Sequence, residues 1–259
     1  MEKIKVFTAF SGYDSQCMAL DKLGIDYELV GWSEIDKFAI QAHNAVYPQW
    51  ADRNYGDISK IDWEQVPDFD LFTYSFPCTD ISSAGQQKGL EKGLEKGSGT
   101  RSSLLWECQK AIEIKRPKYC LMENVAALVS EKFISFYLEW ERLMFRYGYT
   151  NYSKVLNAKD YGIPQNRERI FMVSIHNSDR SYYFPEPMKL EKRLKDVLEQ
   201  NVDERFYLSD KLINYVFSNG GVNKDIQGGV NVSDGSNNAG ALTANYYKSP
   251  RQGNYIYEE

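Results

Sequence analysis

Strand-like and helix-like segments alternate through roughly the first 175 residues, and this alternation constrains the fold more than any other feature. Short apolar runs followed by helical spacing are typical of β-α units, whose strands pair in parallel and whose helices cover both faces of the sheet. We therefore expect an α/β, doubly wound, Rossmann-like sheet that binds its ligands at the carboxyl ends of the strands. The predicted segments are Ile4–Phe10, Ser15–Leu23, Tyr27–Ser33, Lys37–Tyr47, Leu71–Phe76, Ser103–Arg116, Tyr119–Glu123, Phe133–Tyr147 and Ile170–Ile175.

Length and composition exclude several classes of protein. A chain of 259 residues, of which 42% are hydrophobic and 26% charged, can form one large domain with a small appendage and a single main active site. No run reaches the roughly eighteen apolar residues of a membrane span, and the N-terminus lacks the features of a secretory signal, so we expect a cytoplasmic protein. The four cysteines and two histidines are too dispersed for a disulfide framework or a zinc site, and we expect no metal.

The formal net charge of −5 hides a gradient along the chain. Residues 1–75 carry 6 Lys and Arg against 13 Asp and Glu, whereas residues 84–118 carry 8 against 4 and residues 151–195 carry 9 against 5. An anionic partner such as nucleic acid is therefore expected to approach the later segments only.

Two stretches interrupt the alternation. Residues Gly85–Thr100 contain five glycines and repeat the string Gly-Leu-Glu-Lys, a composition that favours a mobile loop over a steady helix. After about residue 177 the pattern gives way to prolines, a charged stretch and a run rich in Gly, Asn, Ser and Asp. We therefore expect a catalytic domain over 1–180 and a smaller, irregular region over 181–259.

Three strand ends near the N-terminus are candidates for binding a nucleotide-like cofactor. Phe10-Ser11-Gly12 follows the first strand, where small residues allow close approach and an aromatic ring can stack on adenine, with a plain strand-turn-helix connection as the ordinary alternative. Glu34 follows the second strand and can accept from ribose hydroxyls, with a helix cap as the equally good alternative. Gly56-Asp57-Ile58 is expected to close a further short strand, where Asp57 can take an adenine amino group or simply form a turn.

Cys78 stands at the carboxyl end of the strand that precedes the glycine-rich stretch. Pro77 restricts the backbone before it, and the position faces the crevice in which such a sheet holds its ligands, so the thiol is a candidate nucleophile. The other cysteines, Cys17, Cys108 and Cys120, lie inside apolar helices or strands and are expected to be small buried hydrophobic side chains.

A carboxylate and two arginines complete the candidate site. Glu123 directly follows apolar strand residues and would lie at the same edge as Cys78, where partial burial would let it work as an acid. A helix cap or a structural ion pair is the ordinary alternative. In Gln165-Asn166-Arg167-Glu168-Arg169, the two arginines are expected to lie on one face of the strand, where they could bind a carbonyl or phosphate oxygen through two hydrogen bonds. The ordinary alternative is that both side chains are solvated at the surface.

In their order, spacing and placement at strand ends, these strings resemble the cytosine-5 DNA methyltransferases of bacteria and phages. The resemblance covers residues 4–175 strongly and residues 180–259 loosely. Phe10-Ser11-Gly12 matches the first motif of the family, Glu34 the second, Gly56-Asp57-Ile58 the third, Pro77-Cys78 the fourth, Glu123-Asn124-Val125 the sixth and Gln165-Asn166-Arg167-Glu168-Arg169 the eighth.

The resemblance implies a methyl transfer from S-adenosylmethionine to C5 of cytosine. Cys78 would add to C6 so that C5 becomes nucleophilic, and Glu123 would stabilise the charge that enters the ring. Arg169 would hold the O2 oxygen of the base, and Arg167 would support the catalytic loop. The resemblance places the cofactor against Phe10, Ser11, Gly12, Glu34, Ile35, Asp57, Ile58 and Pro77.

The resemblance also implies double-stranded DNA as the partner. The family flips its target base out of the duplex, and Gly85–Thr100 lies where the loop that closes over the base is expected. Basic side chains in and beside this loop suit contacts with phosphates. The residues expected to bind DNA are Ser82, Lys88, Lys92, Lys96 and Arg101.

Beyond the eighth motif the agreement weakens. The family usually continues into a variable target-recognition region and two more motifs. Gln252-Gly253-Asn254-Tyr255 is weakly similar to the tenth motif, and we interpret this similarity as chance. Residues 181–259 are therefore expected to be a partial target-recognition region in which Leu242–Lys248 could contact DNA. Three explanations stay open: a truncated chain, one half of a split enzyme whose second chain carries the missing motifs, or a minimal enzyme.

Two further functions remain as alternatives. One branch of the family methylates cytosine in transfer RNA, although the long region after residue 180 favours duplex DNA. The other alternative is a non-catalytic DNA-binding or regulatory subunit that has kept the fold. Methyltransferases that act on exocyclic amines are disfavoured, because the chain has no Asp/Asn/Ser-Pro-Pro-aromatic string.

Overall fold

The computed structural model describes residues 3–77, 104–218, 231–241 and 253–256. Strands and helices alternate in the first of these ranges and in most of the second. The strands are β1 (Ile4–Ala9), β2 (Tyr27–Ser33), β3 (Leu71–Tyr74), β4 (Tyr119–Val125), β5 (Tyr149–Asn157), β6 (Gln165–Asn166), β7 (Glu168–His176), β8 (Asn231–Ser233), β9 (Ala239–Gly240) and β10 (Asn254–Ile256). The helices are α1 (Ser15–Lys22), α2 (Lys37–Val46), α3 (Leu105–Lys115), α4 (Ile134–Arg146) and α5 (Asp210–Ser218).

The central sheet has six strands in the order β2-β1-β3-β4-β7-β5. Strand β1 pairs in parallel with β2 and β3, β3 pairs in parallel with β4, and β7 runs antiparallel to β4. The carboxyl ends of β1, β2, β3 and β4 therefore meet at one edge of the sheet, which is where ligands bind in open α/β folds.

Helices cover both faces of this sheet, as the alternation predicts. Successive side chains of a strand point to opposite faces, and in β1 the buried Val6 and Phe7 belong to two separate apolar clusters. The cluster around Phe7 includes Trp106 of α3 and Trp140 of α4, whereas the cluster around Val6 includes Cys17 of α1. The doubly wound α/β fold is thus confirmed.

The hydrophobic pattern of α4 explains why this helix packs where it does. Its residues Tyr137, Trp140 and Met144 are buried and recur at spacings of three and four, so they form one stripe that faces the sheet. The Nε1 of Trp140 donates to the hydroxyl of Tyr74 at 3.1 Å, which satisfies the polar atom of this buried indole.

Two features differ from the sequence prediction. The segment directly before Gly56 is not a strand, and in it Asn54 forms only an isolated bridge with Trp32. Asp57 instead caps a single 3-10 turn over Ile58–Lys60. Strand β5 lies at the end of the sheet order although the apolar pattern does not predict it, since most of its side chains are polar or only partly buried. An edge strand needs only one covered face, which leaves little apolar signal in its sequence.

The described residues divide into two compact units. The first comprises those within Met1–Val155 and Arg169–Phe184, and the second those within Leu156–Glu168 and Pro185–Glu259. In the second unit β6 pairs with β9 and β8 pairs with β10, each pair in parallel. The division into a catalytic domain over 1–180 and a recognition region over 181–259 stays a prediction. No helix in the described ranges is both long and apolar enough to cross a membrane.

Candidate functional site

The turn that follows β1 has an unusual backbone. Phe10, Gly12 and Asp14 all have positive φ angles, of 55°, 58° and 67°. Glycine suits this conformation at position 12, where an added Cβ would meet nothing within 4 Å. The amide of Ser11 donates to the carbonyl of Ser33 at 3.3 Å, so the end of β2 supports the turn. We call Phe10–Asp14 the β1 turn.

Glu34 joins the β1 turn to the end of β2. Its Oε2 accepts from the amide of Gly12 at 3.0 Å, and its Oε1 accepts from the amides of Ile35 and Asp36 at 2.8 and 2.9 Å. The side chain that caps α2 is Asp36, which accepts from two amides of the first helical turn. Each carboxylate oxygen can accept two hydrogen bonds, so Oε2 retains a lone pair beside the turn.

The segment around Asp57 lies against the same strand ends. The hydroxyl of Ser33 donates to the carbonyl of Gly56 at 2.6 Å. The Asp57 carboxylate accepts from the hydroxyl and the amide of Ser59, and these hydrogen bonds hold its pKa below the usual range. Ile58 is buried in the main apolar cluster. The described geometry thus brings the first three predicted cofactor segments together.

The described part of β3 and its continuation ends at Pro77, directly before Cys78. Asn124 is 3% exposed, and its Nδ2 donates to the carbonyl of Phe76 at 3.0 Å while its Oδ1 accepts from the amide of Val125 at 2.9 Å. The Asn124 side chain therefore ties the end of β4 to the segment that leads into the candidate nucleophile. The motif Glu123-Asn124-Val125 includes Asn124, but the sequence alone does not predict this contact with Phe76.

Glu123 and Arg169 form an ion pair across neighbouring strands. The Nε of Arg169 lies 3.0 Å from Oε1 of Glu123, and the two side chains are 20% and 23% exposed. In the antiparallel register of β4 and β7, Glu123 is opposite Phe171 and Val125 is opposite Arg169, so the two charged side chains are diagonal neighbours on one face. A half-buried carboxylate with a cationic neighbour stands here at the carboxyl edge of β4.

Arg167 lies between β6 and β7 and belongs to the second unit. Its amide donates to Oδ1 of Asn157 at 3.1 Å, and its carbonyl accepts from the amide of Ala158 at 3.0 Å. The prediction that Arg167 supports a catalytic loop concerns side-chain contacts outside the described residues and stays a prediction.

Several predicted site residues lie outside the described ranges. They are Cys78, Ser82, Lys88, Lys92, Lys96, Arg101 and the segment Leu242–Lys248. The remaining cysteines, Cys17, Cys108 and Cys120, are free and buried as predicted, and burial raises the pKa of each thiol. Their protonated thiols are poor nucleophiles. Among the described residues, no group of His, Cys, Asp and Glu is arranged to hold a metal ion.

The residues of the β1 turn and of Glu34 fit an adenosyl group. The Ser11 hydroxyl is buried and has no hydrogen-bond partner among the described residues, so a polar group remains available at the turn. Ile35, next to Glu34, leaves 71% of its surface exposed and offers an apolar contact for a planar ring. A carboxylate that can accept from hydroxyl groups, a glycine backbone open to close approach and an exposed apolar side chain are thus adjacent.

Comparison with known proteins identifies the family. The model of the C-5 cytosine-specific DNA methylases matches residues 4–258, which extends the similarity through the region after residue 180. The type II methyltransferase M2.ScrFI of Lactococcus lactis subsp. cremoris is 40% identical over 81% of this chain and 71% of its own length. The orphan methyltransferase M.Rho11sI of Bacillus phage rho11s is 31% identical over the whole chain, which spans 56% of that relative.

Solved structures support the fold. The Dnmt2 methyltransferase of S. pombe superposes with a TM-score of 0.73 at 19% identity, covering 98% of this chain and 76% of its own. The methyltransferase EhMeth of Entamoeba histolytica superposes with a TM-score of 0.76 at 16% identity, covering 99% of this chain and 76% of its own. The chain therefore belongs to the C-5 cytosine-specific DNA methylases, a family of S-adenosylmethionine-dependent methyltransferases.

Proposed function

We propose that this chain transfers a methyl group from S-adenosylmethionine to C5 of cytosine in double-stranded DNA. The observation that carries the proposal is the ion pair of Glu123 and Arg169 at the same sheet edge as the β1 turn. A carboxyl group and a guanidinium are the groups needed to recognise the polar edge of a cytosine ring. The relatives, named as type II and orphan methyltransferases of bacteria and phages, support a role in DNA modification.

The chemistry requires activation of the base, because C5 of cytosine is a weak nucleophile. The thiolate of Cys78 adds to C6, and the electron pair of the C5–C6 double bond moves into the ring toward N3. The carboxyl of Glu123, hydrogen-bonded at N3 and at the exocyclic amine, stabilises this charge, and Arg169 binds O2. S-adenosylmethionine, when bound, supplies the methyl group that C5 accepts.

The adduct then collapses to product. A base, for which a water molecule is the candidate, removes the proton from C5, the C5–C6 double bond re-forms, and the sulfur of Cys78 leaves C6. Each bond to sulfur that forms is broken again, so the enzyme is regenerated. Asn124 contributes by fixing the carbonyl of Phe76, two residues before the nucleophile.

Trapping of the covalent adduct tests this proposal. In a duplex that carries 5-fluorocytosine at the target, C5 holds fluorine in place of the proton, so elimination of Cys78 is blocked. We expect a complex that survives denaturation and depends on S-adenosylmethionine. Cys78→Ser should abolish it, whereas Cys108→Ala, which changes a buried thiol of α3, should leave it intact. A Cys78→Ser variant that traps DNA as well as the original chain would refute the mechanism.

The same experiment separates the alternative functions. Trapping of a 5-fluorocytosine-containing transfer RNA instead of the duplex would assign the RNA substrate, and absence of any adduct in a protein that binds DNA would assign a regulatory role. The chain spans 71% of M2.ScrFI and 56% of M.Rho11sI, and one half of a split enzyme stays an alternative beside a truncated chain and a minimal enzyme. A second polypeptide that must be added before trapping occurs would support the split enzyme, and full trapping by this chain alone would exclude it.

A further inference from the structure

A buried polar network lies directly beneath the β1 turn. The side chain of Asp14 is fully buried, and its Oδ2 accepts from the Thr8 hydroxyl of β1 at 2.9 Å. The same oxygen lies 3.4 Å from Nε2 of His43 in α2, which is also fully buried. Nε2 of His43 has no hydrogen-bond partner among the described residues. The imidazole of His43 stacks on Trp32 of β2 at a centroid distance of 3.7 Å, which fixes the ring in place.

The backbone of Asp14 adopts a conformation that its residue type does not prefer. Its φ and ψ are 67° and 55°, in the left-handed region, and its side chain does not cap α1 even though it holds the N-cap position. Non-glycine residues keep such angles only where their surroundings hold them, although Asp and Asn tolerate the region better than other residues. Here the Asp14 side chain is held in place by a hydrogen bond from Thr8 of β1 and by its contact with His43 of α2.

A second polar atom of this network lacks a hydrogen-bond partner within the described ranges. The second oxygen of Asp14, Oδ1, is buried and has no hydrogen-bond partner among the described residues. A buried polar atom without a hydrogen-bond partner costs folding free energy. The backbone of Asp14 also closes the β1 turn, because its amide donates to the Ser11 carbonyl at 2.8 Å. The residue that carries the buried carboxyl group therefore lies at the end of the turn.

We propose that Asp14, held by Thr8 and His43, is the positioning residue that keeps the β1 turn in its cofactor-binding conformation. This inference rests on the proposed function, in which the turn binds S-adenosylmethionine. The side chain of Asp14 is fully buried, so its role is to position the turn. The Asp14 side chain connects one end of the turn to Thr8 of β1 and to His43 of α2. In the middle of the turn, the Glu34 carboxylate accepts from the amide of Gly12. Without the Asp14 side-chain contacts, the turn samples other conformations. The apparent affinity for S-adenosylmethionine then falls in proportion to the fraction of molecules whose turn is in the binding conformation.

Replacement of Asp14 by glycine separates the side chain from the backbone. Glycine adopts the left-handed conformation without strain, so Asp14→Gly removes the side-chain contacts with Thr8, His43 and Cys17 and leaves the backbone conformation accessible. We expect S-adenosylhomocysteine, measured by titration calorimetry on the full chain, to bind about tenfold more weakly to Asp14→Gly. Asp14→Asn can still accept from Thr8 and tolerates positive φ, so it should restore binding to within about threefold of the original chain.

Asn177→Gly is the matched control, because Asn177 also has a positive φ, of 45°, and follows β7 rather than β1. It should leave the affinity unchanged. Thr8→Val removes the donor without altering the backbone, keeps a β-branched residue in β1, and should weaken binding in the same direction as Asp14→Gly, which covers the case in which Asp14→Gly fails to fold.

Any one of three results would overturn the role of Asp14 and leave the proposed function intact. They are full affinity for S-adenosylhomocysteine in a folded Asp14→Gly variant, full affinity in Thr8→Val, and an affinity of Asp14→Asn as low as that of Asp14→Gly. Failure of the original chain to bind S-adenosylhomocysteine would overturn the proposed function as well, so the two failures are distinguishable.

Discussion

At the scale of single residues, the central feature is that Glu123 forms an ion pair with Arg169, which is the ordinary alternative that its sequence position offered. Their 3.0 Å contact is set by strand register, because the two residues are diagonal neighbours across β4 and β7. A charge-assisted contact of this kind orients both side chains, and under the proposed mechanism little reorganisation is then needed when charge develops in the base.

Glu123→Gln tests the role of the carboxyl group. The amide keeps the size of the side chain but cannot take or give a proton in the same way, so we expect methyl transfer to fall by about 10²- to 10³-fold. Binding of S-adenosylhomocysteine should remain within about twofold, because Glu123 is not among the residues assigned to the cofactor. The rate is measured with a tritiated methyl donor and duplex DNA. Glu131→Gln, at an exposed position, is the control, and an unchanged rate for Glu123→Gln would contradict the assignment.

At the scale of elements, the site depends on how the ends of neighbouring strands are tied together. Glu34 ties the β1 turn to β2, Ser33 ties β2 to Gly56, and Asn124 ties β4 to the continuation of β3. Each tie is a side chain that bonds to a backbone group of another segment. Such bonds define loop geometry where no sheet ladder exists to do so.

Asn124→Ala should show the importance of one such tie. The variant leaves the Phe76 carbonyl and the Val125 amide without their Asn124 partner, so we expect a loss of about 1–3 kcal/mol in the free energy of unfolding. Urea titration followed by circular dichroism measures this loss. Asn201→Ala, at an exposed position, should change the free energy by less than about 0.5 kcal/mol. Equal stability of the two variants would show that the Asn124 bonds carry no net free energy.

At the scale of the whole molecule, charge is distributed unevenly along the chain. The first 75 residues are acidic, whereas segments 84–118 and 151–195 are basic, within a net charge of −5. A protein of this kind gains affinity for DNA from a local set of cations rather than from its overall charge. Binding to duplex DNA should accordingly weaken as salt rises, in proportion to the number of phosphates contacted.

The salt dependence of binding tests which cations contact phosphate. For a variant with Lys88→Ala, Lys92→Ala and Lys96→Ala, the slope of log K against log salt should become shallower by about 2 to 3, since each phosphate contact contributes about 0.9. A control with Lys3→Ala, Lys22→Ala and Lys60→Ala removes the same charge from the acidic segment and should leave the slope unchanged. Equal effects of the two triple variants would exclude a local role of the 84–118 segment.

The sequence by itself determined the fold class and the order of the segments. Buried strands and amphipathic helices have local periodicities, so β1, β2 and α4 could be predicted to within a residue or two. Edge strand β5 and the 3-10 turn after Asp57 escaped prediction, because a half-exposed strand and a turn are defined by contacts rather than by periodicity. The family was likewise recognisable, since its motifs are short strings at strand ends.

Only the tertiary structure decided which of these residues meet. The sequence presents Glu123 and Arg169 as separate residues 46 positions apart, and strand register makes them an ion pair. In the sequence, Asp14 is one polar residue of a turn and His43 is an isolated histidine. In the folded protein both side chains are buried, and they come within 3.4 Å of each other. The physical reason is that periodicity is a property of neighbours along the chain, whereas hydrogen bonds, ion pairs and burial depend on distances that exist only once the sheet and its helices have packed.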